Sequence, residues 1–348
     1  MTGFSARRVN ELHPRESQAI TALLDASPGS SAYQYPYAGD GNEIFFLLER
    51  DGQLVFSGRA NSGLFASRYL PFLRVLAFNR GPAALTFDDL VAGLQQVRQW
   101  ARAQGYAALQ VMPEIGDEAG AALAQALGER QLSAVGPAVR YTLRLDLTPG
   151  EADLMAAFPK DCRYRIRRAH KEGITVRLGE TEQDFEDFIA IHREMTGRKQ
   201  LAQASRPLLQ ALWQLRREEP TRLALLMAEH SGQLLGANLV FRAGRRAEYL
   251  MGAVGKEQAV LHGDVTAGYP LQWSGMQWAK AAGCVDYDMG GYSPVTPTGP
   301  AKLKKAFFQQ PQPVTLCPAF NMDLMPVVPA AVRLLHKAAK ACLAGRHG

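Results

Sequence analysis

The sequence predicts an α/β protein of two related domains, each a mostly antiparallel sheet flanked by helices. Three observations lead there. The chain has 348 residues, room for two domains of ordinary size. A first-half helix ends Gln-Trp-Ala-Arg-Ala-Gln-Gly (Gln99 to Gly105), and a second-half helix ends Gln-Trp-Ala-Lys-Ala-Ala-Gly (Gln277 to Gly283). Each follows a hairpin or meander and leads directly into a strand. Five identities in seven positions, at the same place in the order of elements, point to duplication.

Within the first half, EIFFLLE and QLVFSGR flank Asp51-Gly52 and read as a hairpin. A helix follows from about Thr86, where Thr86 and Asp89 form a capping-box pattern. Phe87, Leu90, Val91, Leu94, Val97 and Trp100 recur at helical spacing until Gly105 ends the run, and the strand YAALQVM comes next. The second half opens at Thr148-Pro149-Gly150-Glu151, a helix start with proline at the first position. A helix over residues 161–172 stops at Gly173, before the strand ITVRL. Helices are expected from about Thr181 and Ser205. A meander then runs through LALLMAE, a turn at Ser231-Gly232, LLGANLVF, a turn near Gly244, and AEYLMGAV. In the tail, from about Pro311, a helix over residues 328–343 is expected to pack its small apolar face (Val332, Leu335, Ala339, Cys342) on the first domain rather than on a membrane.

Composition bounds the function. With 47% hydrophobic and 21% charged residues the chain is globular. No apolar run approaches the roughly 18 to 20 residues that span a bilayer, and the first residues lack the apolar core of a signal peptide. Cys162, Cys284, Cys317 and Cys342 lie far apart, without metal-ligand spacing, as reduced thiols of a cytoplasmic protein would. The net charge of +6 favours anionic partners. The histidines are scattered, so neither a metal site nor a catalytic triad is supported, and a GxSxG elbow is missing.

The most informative stretch runs from Gly283 to Phe308. A strand over Val285 to Met289 puts Asp286 and Asp288 on one face, Gly290 and Gly291 let the backbone turn, and Lys302, Lys304 and Lys305 follow. Carboxylate, flexible turn and clustered ammonium groups describe the wall of a polar site. A strand exit with a solvated lysine face is the plainer alternative.

Several motifs in order resemble the Fem (FemABX) family of tRNA-dependent aminoacyl transferases. Asp146-Leu147 precedes a short helix, then Arg163, Ile166, Arg167 and Ala169, then Gly173 to Val176. EYLMGA is similar to the family's tyrosine-rich strand, AFNRGPAA to its Gly-Pro turn, and the Gly283–Phe308 stretch to its segment of Asp, paired Gly and Lys. The likeness covers roughly residues 70 to 310. It departs at Leu303, where the family usually has Phe before the lysine, and near the N-terminus, where a frequent Trp is missing.

The resemblance implies two tandem GNAT-like domains, 1–147 with 311–348 returning to it, and 148–310 carrying the transfer site. It implies transfer of an amino acid from aminoacyl-tRNA, the co-substrate, to an amine. The acceptor would be a nucleotide- or lipid-linked glycopeptide of peptidoglycan synthesis or a related peptide, with no cofactor and no metal. The setting would be cytoplasmic or peripheral at the inner membrane face, without stable membrane insertion. Lys304, matching the family's lysine, would stabilise the tetrahedral oxyanion. Asp288 would orient the amine or accept its proton, or else cap the Gly290-Gly291 turn. Lys302 and Lys305 would contact phosphates of the tRNA acceptor end. Arg163 and Arg167, one turn apart, would bind phosphate or form a solvated face, and Tyr249 and Arg80 would be pocket or core residues. An acyl-CoA-dependent enzyme is the chief rival. Its pyrophosphate loop has one partial match, Arg102 to Ala107, where a helix ends rather than begins. A non-catalytic RNA- or partner-binding protein is the rival outside enzymes.

Overall fold

The computed structural model describes residues 2–37, 41–64, 73–128, 140–201, 203–255, 265–294 and 299–325. The expected tail helix over 328–343 lies outside them. Two compact units form, one from described residues within 1–36, 41–139 and 316–348, the other from those within 37–40 and 140–315.

The first unit begins with β1 (Thr2–Arg8) and α1 (Pro14–Ala26), neither legible from apolar periodicity. The hairpin of β2 (Glu43–Arg50) and β3 (Gln53–Leu64) turns on Asp51 and Gly52, at φ 51° and 79°. That is the left-handed pair a tight turn between twisted strands requires. Then come β4 (Arg74–Phe78), β5 (Ala83–Ala84) and α2 (Phe87–Ala103), which Thr86 caps by accepting from the Asp89 N–H at 3.1 Å. β6 (Ala108–Val111) and α3 (Asp117–Leu127) follow. Leu94, Val97 and Ala101, a stripe on one side of α2, are fully buried with Phe46, Phe56 and Phe78.

The second unit runs β7 (Arg140–Asp146), α4 (Glu151–Ala157), α5 (Lys160–Lys171), β8 (Thr175–Leu178), α6 (Glu182–Lys199) and α7 (Arg206–Glu218). It continues β9 (Leu223–His230), β10 (Gln233–Ala243), β11 (Arg246–Val254), α8 (Gly268–Ala281), β12 (Asp286–Tyr292), α9 (Gly299–Lys305) and β13 (Val314–Leu316). Then β14 (Phe320–Asp323) pairs with β6. Ala224, Leu226 and Ala228 of β9 pack in one core with Leu271, Met276 and Ala279 of α8. Leu223, Leu225 and Met227 point the other way and are equally buried. A strand covered on both faces reads as a continuous apolar run, which is what LALLMA is.

Strand order in the first sheet is β1-β2-β3-β4-β6-β14, with β5 beside β3; in the second it is β13-β7-β12-β11-β10-β9-β8. Each sheet is an antiparallel meander closed by one parallel neighbour across a helix: β4 with β6 around α2, and β11 with β12 around α8. The shared topology accounts for the echo between Gln99–Gly105 and Gln277–Gly283.

Three expectations need correction. The second unit opens at residue 140 rather than 148, because β7 hydrogen-bonds to β12, and the chain returns to the first unit at 316 rather than 311, because β13 still edges the second sheet. α4 starts at Glu151 with Gly150 as its cap, so Pro149 precedes the helix. Asp146 captures the Thr148 N–H at 2.9 Å and sets a turn there first. Finally, β12 does not stop at Met289; it passes through both glycines to Tyr292.

Candidate active site

β11 and β12 pair in parallel at three positions only: Arg246 with Asp286, Ala247 with Tyr287, and Glu248 with Asp288. Past Glu248 and Asp288 the two strands part, β11 running on to Val254 and β12 to Tyr292. Splayed parallel strands open a fork whose walls are backbone groups without ladder partners. β12 is held on its other side by β7, with a bulge between Asp288 and Gly291. Gly290 sits in that bulge at φ 73°, a conformation that only glycine adopts without strain. A Cβ there would also lie 3.2 Å from Tyr249 O.

Asp288 is 1% exposed and locks the bulge. Its Oδ1 accepts from the Gly290 N–H at 2.8 Å and from the Thr142 hydroxyl, and its Oδ2 accepts from Arg144 Nε at 3.0 Å. Thr142 and Arg144 both belong to β7. Of the two expectations for Asp288, this geometry is the turn-capping one. Its donors hold the carboxylate in place across the bulge. Asp286, two residues earlier, meets Arg246 Nε at 2.6 Å.

Lys304 reaches the fork from α9. It is 8% exposed, its Nζ donates to Gly291 O at 2.7 Å, and it stands 5.7 Å from the centroid of the Tyr249 ring. An ammonium over an aromatic face is attracted by the ring quadrupole. A Cβ on Gly290 would come 3.6 Å from the same Nζ. Backbone carbonyl, ring face and bare glycine thus fix a cation where the strands diverge, and Lys304 is no solvated loop residue. Leu303 packs inward instead, 3.0 Å from where a Cβ on Gly268 would stand. Lys302 and Lys305 flank it and are exposed.

Tyr249, half-buried in β11, has its phenol pushed up to about 12 by burial. It stays protonated at neutral pH. Gly252 leaves room for it: a Cβ there would collide with Tyr249 Oη at 2.2 Å and Asn238 Oδ1 at 2.4 Å. Asn238 and Glu248 are 4% and 3% exposed. Neither these two nor Thr142 and Arg144 were anticipated. The available signal was a polar residue on the inward-facing register of an otherwise apolar strand.

The equivalent place in the first unit is filled. Beyond the β4–β6 pairing, Gly81 bridges to Met112, and Arg80 Nε donates to Glu114 Oε1 at 2.7 Å, with Glu114 4% exposed. The Gln34 carboxamide occupies the space a Cβ on Gly81 would need, 2.2 Å away, and donates to Asn79 O at 2.7 Å. Residues 102–107 lie where α2 ends, with Gly105 at φ 76°. A helix C-terminus presents carbonyls, the wrong polarity for a pyrophosphate.

Comparison with known proteins matches this architecture. A family model described as an acetyltransferase (GNAT) domain covers residues 156–304. A crystal structure of FemX superposes with a TM-score of 0.71 at 16% identity, over 93% of this chain and 98% of that one. The chain carries a tandem GNAT fold like that of FemX. L-PGS from Bacillus licheniformis aligns with a TM-score of 0.60 at 14% identity, over 92% of this chain and 95% of that one. A tandem GNAT protein from the clavulanic acid biosynthesis pathway gives 0.55 at 14%, over 94% and 99%. By sequence, UDP-N-acetylmuramoylpentapeptide-lysine N(6)-alanyltransferase of Weissella viridescens is 23% identical over 159 residues, so the match spans 44% of each chain.

Within the Fem-type fold the remaining candidates separate. Arg80 belongs to the first unit, in the ion pair with Glu114, its guanidinium 5.5 Å from the Tyr33 ring centroid. Arg163 Nη1 donates to Ala156 O and Phe158 O, both at 2.7 Å, and satisfies the carbonyls at the end of α4. Arg167 is exposed. Among the described residues no group of His, Cys, Asp and Glu could hold a metal ion, and no helix is long and apolar enough to cross a membrane.

Proposed function

We propose that the second unit transfers an aminoacyl group from aminoacyl-tRNA to an amine, without a cofactor, in the cytoplasm. The acceptor amine attacks the ester carbonyl, a C–N bond forms, and the ester C–O bond breaks. The terminal ribose hydroxyl of the tRNA leaves with the proton the amine gives up. The ester is already activated, so the step needs little acid–base power; it needs the oxyanion of the tetrahedral intermediate stabilised. The observation that carries this is the Lys304 ammonium, buried at the strand fork and aimed by Gly291 O and the Tyr249 ring. Asp288, Thr142 and Arg144 hold the bulge that sets its position, and Lys302 and Lys305 meet phosphates of the acceptor end.

The name of the Weissella viridescens relative supports a peptide amine on a nucleotide-linked muropeptide as the acceptor. The test supplies purified protein with either total tRNA charged with labelled amino acids or labelled acetyl-CoA, and a panel of amine acceptors that includes a UDP-linked lysine muropeptide. Label is expected in the muropeptide from charged tRNA only, and ribonuclease abolishes it. Label from acetyl-CoA alone overturns the proposal in favour of an acyl-CoA-dependent enzyme.

A further inference from the structure

The charge of this chain is concentrated in one helix. α5 holds six Lys and Arg against Asp161 alone, a formal +5 within a whole-chain excess of +6. Its apolar residues, Cys162, Ile166 and Ala169, are all turned into the core. Lys160, Arg163, Tyr164, Arg167, Arg168 and Lys171 line a surface groove of about 470 Å³ on its outward side, with Glu172 at the far end. At 1.5 Å per residue the groove follows about 16 Å of helix.

The cations on this face are not alike. Arg163 caps α4, Arg165 is paired with Asp161 at 2.7 Å, and Arg168 lies between the Tyr164 hydroxyl at 3.2 Å and Glu172 at 3.8 Å. Lys160, Arg167 and Lys171 are exposed, and their side chains make no hydrogen bond or ion pair among the described residues. Beside them Tyr164 is 54% exposed, its ring carrying the Arg168 guanidinium 5.9 Å from the centroid.

We propose that this face of α5 is a docking surface for RNA, separate from the strand fork, with phosphates on Lys160, Arg167 and Lys171 and a base stacked on Tyr164. It rests on the charged-tRNA reading above and adds where the body of the donor is held. A cationic groove with an aromatic platform is the arrangement that grips a nucleic-acid strand without reading its sequence. A membrane fits less well. A helix lying in a bilayer interface needs a row of apolar side chains on its outward side, and α5 turns Cys162, Ile166 and Ala169 into the core and leaves Tyr164 alone outside.

The probe is an uncharged RNA hairpin with an unpaired 3′ tail, its binding to the full chain followed by fluorescence anisotropy over a salt series. Vesicles rich in anionic phospholipid form the second arm. The triple substitution Lys160→Gln, Arg167→Gln and Lys171→Gln is expected to weaken hairpin binding on the order of tenfold or more and to flatten the log K against log salt slope by about two. Tyr164→Ala is expected to weaken binding several-fold with the slope unchanged, because stacking releases no counterions. Hairpin binding untouched by the triple substitution overturns the proposal. So does loss of vesicle binding with hairpin binding intact, which makes the face a membrane surface. The failure of each idea is distinguishable. If α5 binds the hairpin but no charged tRNA donates, the transferase reading fails alone. If transfer proceeds and the triple variant keeps its KM for charged tRNA, the docking surface fails alone.

Discussion

Lys304 is the residue on which the proposed chemistry turns, and its surroundings state what removing its charge does. Lys304→Met keeps an unbranched side chain of similar length on α9 and deletes only the ammonium. Turnover is expected to fall about 100-fold or more, the usual loss when one oxyanion donor is removed, with KM for charged tRNA and thermal stability little changed. Steady-state transfer kinetics beside a melting curve check this, and full turnover would sink the role. Gly290→Ala tests the same spot from the backbone. A side chain at φ 73°, 3.2 Å from Tyr249 O, strains the bulge. A destabilisation of about 1–2 kcal/mol is expected from urea unfolding. Lys304 and the glycine pair were legible because flexible turns and clustered ammonium groups stand out in a sequence. The partners of Asp288 were not: Thr142 and Arg144 lie about 145 residues away in the chain, and only strand pairing brings them near.

Among the elements, α6 shows how local chemistry sets a helix start. Thr181 accepts from the Asp184 N–H at 3.1 Å, Asp184 accepts from the Thr181 N–H at 2.9 Å, and Arg177 of β8 donates to the same carboxylate at 2.6 Å. The Arg177 hydrogen bond, helped by the backbone N–H groups and opposed by burial, holds the Asp184 carboxyl far below the ordinary carboxylate range. A depressed folded-state pKa gives stability that is fully present above the unfolded value of about 3.9 and lost as pH falls toward the folded one. Asp184→Asn is therefore expected to cost about 2 kcal/mol at pH 7, a gap that closes as pH drops below about 4. Arg177 is half exposed, so the cap carries more of this than the ion pair. Parallel melts of the two proteins at pH 7 and pH 3 read it directly; an unchanged gap contradicts it. Helix starts of this kind were readable at Thr86, Thr181 and Ser205, since the cap and its partner are three residues apart. Strands β1, β4 and β14 were not, because nothing within a short strand says which neighbour it will join.

For the whole molecule, the duplicated order of elements was readable from two helix ends and their glycines, while the assignment of strands at the seam was not. The cores can be probed without touching the site. Cys162 and Cys284 are 0% and 4% exposed, and burial pushes both thiols up to about 12. At pH 8 neither forms the reactive thiolate in the folded state. Their alkylation by iodoacetamide is expected to follow the urea transition seen by circular dichroism, with peptide mass spectrometry naming the cysteine modified. Rapid labelling of either in native buffer contradicts the packing of the second unit.

The strand that braces Asp288 comes from the stretch joining the units. A gene fragment cut at residue 148, where the motif-based boundary falls, would delete β7 and with it Thr142 and Arg144, leaving a buried carboxylate stripped of the two donors that β7 supplies. Removing one side of such a pair costs about 3–5 kcal/mol. Lys304, whose ammonium donates to Gly291 O, would lose the frame it leans on. Anyone dissecting this protein will keep the second unit's sheet whole only by keeping the connector.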